Sequence, residues 1–169
     1  KLLIAVDMEG VSGVVHTSHV RLENSDYDRF RRLMIADVNA AVEGAFLGGA
    51  QEIVVTDGHW NGLNILIEEL DARVRLNAGL ASPYAMLEGL QNGVDAAFFI
   101  GSHARMGTIT GVMDHTWASA KVENLWLNGR LAGETALNGA VCGHYGAPVL
   151  MVSGDQALAA EASDWIRGV

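Results

Sequence analysis

The feature that most constrains the fold is the run Leu2-Leu3-Ile4-Ala5-Val6, which is apolar at every position. A half-exposed strand alternates apolar and polar residues, whereas an uninterrupted apolar run of this length is typical of a strand buried on both faces. Similar runs follow at Ile53–Val55, Ala96–Ile100 and Val149–Val152. The chain must therefore supply layers that cover both faces of a sheet.

The segments between these runs supply candidate covering helices. From Phe30 to Phe46, apolar residues recur at three- and four-residue spacing, which predicts a long amphipathic helix that Gly48-Gly49 ends. Shorter helices are predicted near Leu63–Leu70 and from Ser82-Pro83 to Leu90, and Val74–Leu76 is predicted to be an edge strand. Strands that alternate with helices indicate a mainly parallel sheet.

One hairpin is predicted within this pattern. Val122–Leu127 and Arg130–Ala132 flank Asn128-Gly129, the favoured residue pair for a type I′ turn. Glu134 follows at the start of a helix, and Asp155 is positioned to cap the last one. The predicted fold class is α/β: a mainly parallel sheet with helices on both faces, plus a β-hairpin inserted near the active-site edge. Residues 1–169 are expected to form one domain.

Charge and composition argue against several classes of partner. The net charge is −9 with only two lysines, whereas nucleic-acid phosphates require clustered Lys and Arg. No apolar run approaches the roughly 20 residues that cross a bilayer, so no membrane partner is expected. Cys142 is the single cysteine and cannot form an intramolecular disulfide. With no visible secretory signal, these features predict a cytoplasmic protein.

Acids and histidines follow three of the predicted strands. Asp7 and Glu9 follow the first strand and point to the same side of an extended chain, Asp57 and His59 follow the second, and His103 follows the third. Parallel strands bring these ends to one edge, where α/β sheets bind ligands. Mixed Asp, Glu and His ligands suit zinc and other first-row divalent ions.

The same residues also allow plainer interpretations. Asp7 and Glu9 can belong to an acidic, solvated loop, and a single histidine at a strand end is more often an ordinary polar residue than a ligand. Two such histidines together with an Asp-x-Glu pair favour a metal site. Glu134 could complete it if the hairpin folds over this edge, and Asp57 is expected to orient His59 or a neighbouring ligand.

A series of short motifs runs in order over nearly the whole chain. They are Val6-Asp7-Met8-Glu9-Gly10-Val11-Ser12-Gly13, Thr56-Asp57-Gly58-His59, Gly101-Ser102-His103-Ala104-Arg105, Gly111-Val112-Met113-Asp114-His115, and Asn128-Gly129-Arg130 with Gly133-Glu134. Through these motifs the chain resembles the DppA-type D-aminopeptidase family, which are zinc metallopeptidases. The resemblance implies two zinc ions per chain. Asp7 matches the bridging ligand, Glu9 and His59 complete one ion's protein ligands, and His103 and Glu134 complete the other's.

The resemblance also implies a function. His115 matches the residue proposed as catalytic in the family, either as a base or as a nucleophile. The substrates would be short peptides with an N-terminal D-residue, such as D-Ala-D-Ala, and the assembly a ring-like homo-oligomer. Residues 1–169 would be the metal-binding catalytic domain. Family members continue past this length, so the C-terminal domain expected from the family is absent from this chain.

Two other functions stay open. In a phosphohydrolase of the haloacid-dehalogenase type, a strand ends in Asp-x-Asp and the next strand in Ser or Thr. Asp7, Glu9 and Thr56 match that pattern loosely, with Lys121 as the lysine, but His59 and the histidine after the third strand then have no role. Alternatively, the ions could only hold strand ends together in a non-catalytic scaffold, since structural zinc sites have closed coordination.

Overall fold

The computed structural model describes residues 1–79 and 83–169. The strands are β1 (Leu2–Val6), β2 (Ile53–Asp57), β3 (Arg75–Asn77), β4 (Ala96–Ile100), β5 (Leu125–Leu127), β6 (Arg130–Ala132) and β7 (Val149–Val152). The helices are α1 (Tyr27–Leu47), α2 (Glu134–His144) and α3 (Gln156–Trp165), with short 3-10 turns at Thr17–Val20, Ala85–Leu87 and Leu90–Asn92. Within the described residues, every helix is too short or too polar to cross a bilayer.

Five strands form one parallel sheet in the order β3-β2-β1-β4-β7. The register sets Val6 of β1 beside Asp57 of β2 and, on the other side, beside Ile100 of β4. These three strands therefore end at the same level, and the residues that follow them share one edge, called here the carboxyl edge. The chain continues from β1 to β2 on one side and from β4 to β7 on the other, and α/β sheets bind ligands in the crevice at such a reversal.

The two faces of β1 belong to two hydrophobic layers. Leu2, Ile4 and Val6 pack with the buried stripe of α1, whereas Leu3 and Ala5 lie on the other face. That second layer also contains residues of the 3-10 turns, of β4 and of α2. Every residue of β1 is buried, as the unbroken apolar run predicts, and the predicted α/β class is confirmed.

Of the two shorter predicted helices, one is absent and the other is replaced by 3-10 turns. Residues 63–70 contain turns and no helix. The Asp57 carboxylate accepts hydrogen bonds from the backbone N–H groups of Asn64 and Ile65, which ties this segment to the end of β2. The helix predicted to end at Leu90 is replaced by two 3-10 turns, and its predicted cap, Ser82, lies outside the described residues.

The predicted hairpin is present as the antiparallel pair β5–β6. Asn128 and Gly129 have φ values of 50° and 79°, so both central residues adopt the positive φ that a type I′ turn requires. The paired strands are shorter than predicted, because pairing begins at Leu125 rather than at Val122. The hairpin leads through Gly133 into Glu134, the first residue of α2.

Candidate metal centre

Six side chains that the sequence analysis singled out lie together at the carboxyl edge. They are Asp7, Glu9, His59, His103, His115 and Glu134. The first four follow β1, β2 and β4, the fifth lies in the long loop between β4 and β5, and the last begins α2. A glutamate at the first position of a helix is stabilised there by the helix dipole.

The donor atoms of these side chains form two groups, within each of which they all lie within 4.8 Å of one another. Asp7, Glu9 and His59 are called here the first triad, and His103, His115 and Glu134 the second triad. The triads also contact each other, since Glu9 Oε1 lies 3.9 Å from His115 Nε2. In the second triad, the two imidazole rings stack with centroids 3.8 Å apart and planes 12° apart.

Asp7 lies between the two triads. Its Oδ1 is 3.1 Å from His59 Nδ1, and its Oδ2 is 3.5 Å from His103 Nε2. One carboxylate thus presents one oxygen to each triad, which is the arrangement that a carboxylate bridging two ions needs. His103 Nε2 also faces Glu134, whose Oε1 lies 3.3 Å away.

Each of the three histidines has one ring nitrogen fixed by a backbone carbonyl. His59 Nε2 donates to Val20 O at 2.9 Å, His103 Nδ1 to Ala104 O at 3.1 Å, and His115 Nδ1 to Met113 O at 2.9 Å. A carbonyl can only accept, so these nitrogens carry hydrogen and the opposite nitrogens face the carboxylates. Such hydrogen bonds fix the tautomer of metal-binding histidines.

The acids attract positive charge strongly at this edge. Burial alone would lower the pKa of His59, but the adjacent carboxylates of Asp7 and Glu9 raise it to about 11. Burial also opposes protonation of His103, yet Glu134 and Asp7 raise its pKa to about 10. Burial would raise the pKa of Asp7, whereas the two histidines hold it below its usual value. The site therefore favours a cation, whether that cation is a proton or a metal ion.

Glu9 gives a direct test of whether a metal ion fits. Its Oε2 is buried and has no hydrogen-bond partner among residues 1–79 and 83–169. His59 Nδ1 lies 3.1 Å from this oxygen but makes its hydrogen bond with Asp7 Oδ1. A buried carboxylate oxygen that makes no hydrogen bond of its own is costly, and a metal ion is one group that can satisfy it. The donor set of carboxylates and imidazoles also fits zinc.

Asp57 does not orient His59 in the way the sequence suggested. Its carboxylate binds the backbone N–H groups of Asn64 and Ile65 at 2.6 and 2.8 Å, and the Asn64 side chain at 2.8 Å. The Asn64 amide in turn donates to the carbonyl of His59 at 2.6 Å. Asp57 thus fixes the loop that carries His59, while the ring itself is oriented by Val20 O.

Two residues beside the centre were not identified by sequence reasoning. The backbone N–H of Trp117 donates to Glu134 Oε1 at 2.7 Å, the oxygen that also faces His103. Trp117 and Trp60 both have left-handed φ values, 54° and 47°, which are uncommon for residues other than glycine. Strained backbone of this kind persists where the surrounding contacts enforce it and clusters at functional sites.

The residues of the phosphohydrolase alternative do not assemble around Asp7. The Thr56 hydroxyl donates to the Glu88 carbonyl at 2.8 Å and accepts from the Asn77 amide at 3.2 Å. Lys121 is exposed. The ion-pair partners of Asp7 are instead the two histidines that this alternative left without a role.

Comparison with known proteins gives a consistent result. A family model described as D-aminopeptidase matches residues 1–169. A D-aminopeptidase of Bacillus subtilis (strain 168) is 38% identical over 169 residues, which is 100% of this chain and 61% of that protein. The solved structure of the Zn-dependent D-aminopeptidase DppA from Bacillus subtilis, described as a self-compartmentalizing protease, matches with a TM-score of 0.96 and 38% identity. The match covers 99% of this chain and 61% of that one, so the chain spans about three fifths of these relatives' length.

Proposed function

This chain belongs to the D-aminopeptidase family, and we propose that its carboxyl edge carries a binuclear zinc centre that removes the N-terminal residue from short peptides of D-amino acids, such as D-Ala-D-Ala. One observation carries the proposal: the two oxygens of Asp7 face histidines of two different triads. The zinc dependence and the D-peptide specificity are brought from the relatives, which are described as Zn-dependent and as D-aminopeptidases.

In this proposal Asp7 is the shared ligand. Glu9 and His59 complete the protein ligands of one ion, and His103 and Glu134 complete those of the other. Zinc supplies Lewis-acid chemistry at such a site, since it activates water and polarises a carbonyl oxygen. The protein supplies the orientation of the ligands, through the carbonyl that holds each imidazole and the N–H group that holds Glu134.

His115 is proposed as the catalytic residue, acting as a base or as a nucleophile. Its Nδ1 donates to Met113 O, so in the neutral ring Nε2 has an available lone pair. That nitrogen is 3.9 Å from Glu9 Oε1, beyond hydrogen-bonding distance, and the ring is held against His103. His115 Nε2 can therefore hold a proton at the edge of the centre and deliver it to the departing amine.

The proposed unit of function is a homo-oligomer in which residues 1–169 form the metal-binding catalytic domain. The support is the relative described as a self-compartmentalizing protease, which matches nearly all of this chain. Short peptides are the proposed partners. The acidic surface and the small number of lysines fit this better than a nucleic-acid partner.

Metal analysis beside a peptide assay tests the proposal and separates it from its rivals. Plasma mass spectrometry of the purified protein is expected to find two zinc ions per chain, and D-Ala-D-Ala is expected to be cleaved faster than L-Ala-L-Ala. Magnesium dependence with phosphate attached to Asp7 would support the phosphohydrolase instead. Two tightly bound ions without hydrolysis of any D-peptide would support the scaffold.

A further inference from the structure

A second carboxylate with a buried oxygen lies beside the centre and has no role in the function proposed above. Among the described residues, two buried side-chain oxygens lack a hydrogen-bond partner: Glu9 Oε2 and Glu161 Oε1. The first belongs to the centre itself, whereas Glu161 lies on α3. A carboxylate placed where one oxygen stays unsatisfied destabilises a fold, so its location needs a specific explanation.

Glu161 contacts the two backbone segments that carry His103 and Glu134. Its Oε2 accepts a hydrogen bond from the Arg105 backbone N–H at 2.8 Å, two residues after His103. Its Oε1 lies against Gly133, where a Cβ atom would come within 2.5 Å of that oxygen and within 2.6 Å of Arg105 Cβ. Gly133 directly precedes Glu134, so the Glu161 side chain lies against both segments at the point where Gly133 packs on Arg105.

The sheet cannot provide this link. The first triad follows β1 and β2, and the pairing of those strands fixes how its members are spaced. His103 follows β4, but Glu134 begins a helix that enters from the separate hairpin sheet. No strand register therefore fixes Glu134 relative to His103. Their spacing depends instead on the contacts where the two segments meet, which are those of Gly133, Arg105 and Glu161.

We propose that Glu161 is a positioning residue for the second metal ion: it holds the Arg105 backbone by a hydrogen bond, packs against Gly133, and thereby helps to set the spacing between His103 and Glu134. The inference rests on the proposed function, because it assumes that these two residues share an ion. Glu161 acts through the two segments and is not itself a ligand.

Zinc affinity in three variants tests this role. Glu161→Met keeps the length and fills the space but removes the acceptor, Glu161→Gln keeps an acceptor for Arg105 N–H, and Asp164→Asn is the control. Asp164 lies on the same helix and pairs with Arg130 of the hairpin at 2.7 Å, but both side chains are exposed. Each protein is titrated with zinc against a chelator, and the second ion is identified as the binding step that Glu134→Gln abolishes.

Glu161→Met is expected to weaken binding of the second ion by about 10–100-fold, which is the usual effect of losing the support behind a metal ligand. Binding of the first ion is expected to weaken by less than about 3-fold. Glu161→Gln and Asp164→Asn are expected to stay within about 3-fold of the parent protein for both ions. A thermal melt of the metal-free proteins accompanies the titration, because a merely structural role would lower the melting temperature and weaken both ions alike.

The inference is overturned if Glu161→Met binds the second ion as tightly as the parent, or if it weakens both ions equally. Should that variant not fold, Gly133→Ala disturbs the same contact from the other side, because its Cβ would collide with Glu161 Oε1 and with Arg105 Cβ. Unchanged affinity for the second ion in Gly133→Ala would then overturn it. If the parent protein itself binds no second ion, the proposed function is wrong. That result differs from the outcomes above, which contradict only the role of Glu161.

Discussion

The two triads reach the same edge of the sheet by different routes. Asp7, Glu9 and His59 follow paired strands, and their side chains are 10%, 8% and 7% exposed. In the second triad only His103 follows a strand of the sheet, and the side chains of His115 and Glu134 are 19% and 16% exposed. Strand register determines the first triad, whereas loop and helix contacts assemble the second.

This difference determines what supports each side. The first triad relies on the Asp57–Asn64 contacts beneath His59 and on the carbonyl of Val20. The second relies on Trp117 N–H and, by our inference, on Glu161. Asp7 belongs structurally to the first triad but faces both. We therefore expect the first triad to tolerate changes in distant loops better than the second, and Asp7 to be the one residue on which both depend.

The largest effect is expected from Asp7→Ala. Because each oxygen of Asp7 faces one triad, the variant should lose both ions, with affinity falling by more than the roughly 10–100-fold that follows loss of a supporting contact. Plasma mass spectrometry of the purified variant is the measurement. Asp71→Ala, which removes a carboxylate paired with Arg73, is the control and should keep both ions. Retention of both ions by Asp7→Ala would exclude the bridging role.

Removing one proposed ligand from one triad at a time should show whether each triad binds its own ion. Glu9→Gln and Glu134→Gln are each expected to lose one ion and keep the other, since each contributes its carboxylate to a different triad. Metal content per chain, measured at several free zinc concentrations, distinguishes the two steps. If either variant lost both ions together, the two triads would form one indivisible site, and the distinction drawn here would be wrong.

The same contrast explains what the sequence could predict. Asp7, Glu9, His59 and His103 follow apolar runs, so strand pattern and parallel register were enough to bring them together. The places of Glu134 and His115 depend on how a hairpin and a loop fold over the sheet, which no local pattern records. The role of His115 came only from the resemblance to a family, and that of Glu134 was otherwise conditional on the hairpin folding over this edge.

The wrong predictions have a related physical cause. Apolar residues in the segment Leu63–Leu70 suggested a helix, but the segment forms turns that the carboxylate of Asp57 holds at the end of β2 through two backbone N–H groups. The role of Val20 was missed because a backbone carbonyl is present at every residue and has no signature of its own. In both cases the structure depends on contacts between residues that are distant in sequence or outside the segment itself, and no local pattern records such contacts.

A smaller effect on the ions, with a large effect on turnover, is expected from His115→Ala. The ring packs on His103, and His115 is not among the residues proposed to hold either ion. The variant should therefore keep both ions while turnover falls by about 10²–10⁴-fold, the usual contribution of a positioned acid or base. D-Ala-D-Ala hydrolysis and metal content are measured on the same sample, with His144→Ala as an exposed control. Loss of one ion would instead make His115 a ligand of the second triad.

The smallest expected effect is a dependence of stability on pH that zinc binding cancels. In the metal-free protein the pKa values of His59 and His103 are raised to about 11 and about 10, above the ordinary value of 6.5. Groups with a raised pKa stabilise the folded state fully below about pH 6.5, and this stabilisation is lost as the pH rises toward 10. The melting temperature of the metal-free protein should therefore fall by several degrees, about 5 °C or more, between pH 7 and pH 10.

Zinc should cancel this trend because protons and metal ions compete for the same nitrogens. The rise in melting temperature on adding zinc is expected to grow over the interval in which the metal-free protein weakens, up to the pH at which zinc hydroxide forms. Calorimetric melts with and without zinc measure both trends, and His59→Gln and His103→Gln should each flatten them in part. The opposite result would be a metal-free protein that becomes more stable as the pH rises to 10. In that case the carboxylates beside His59 and His103 do not hold protons on these histidines, and neither triad attracts a cation in the way described above.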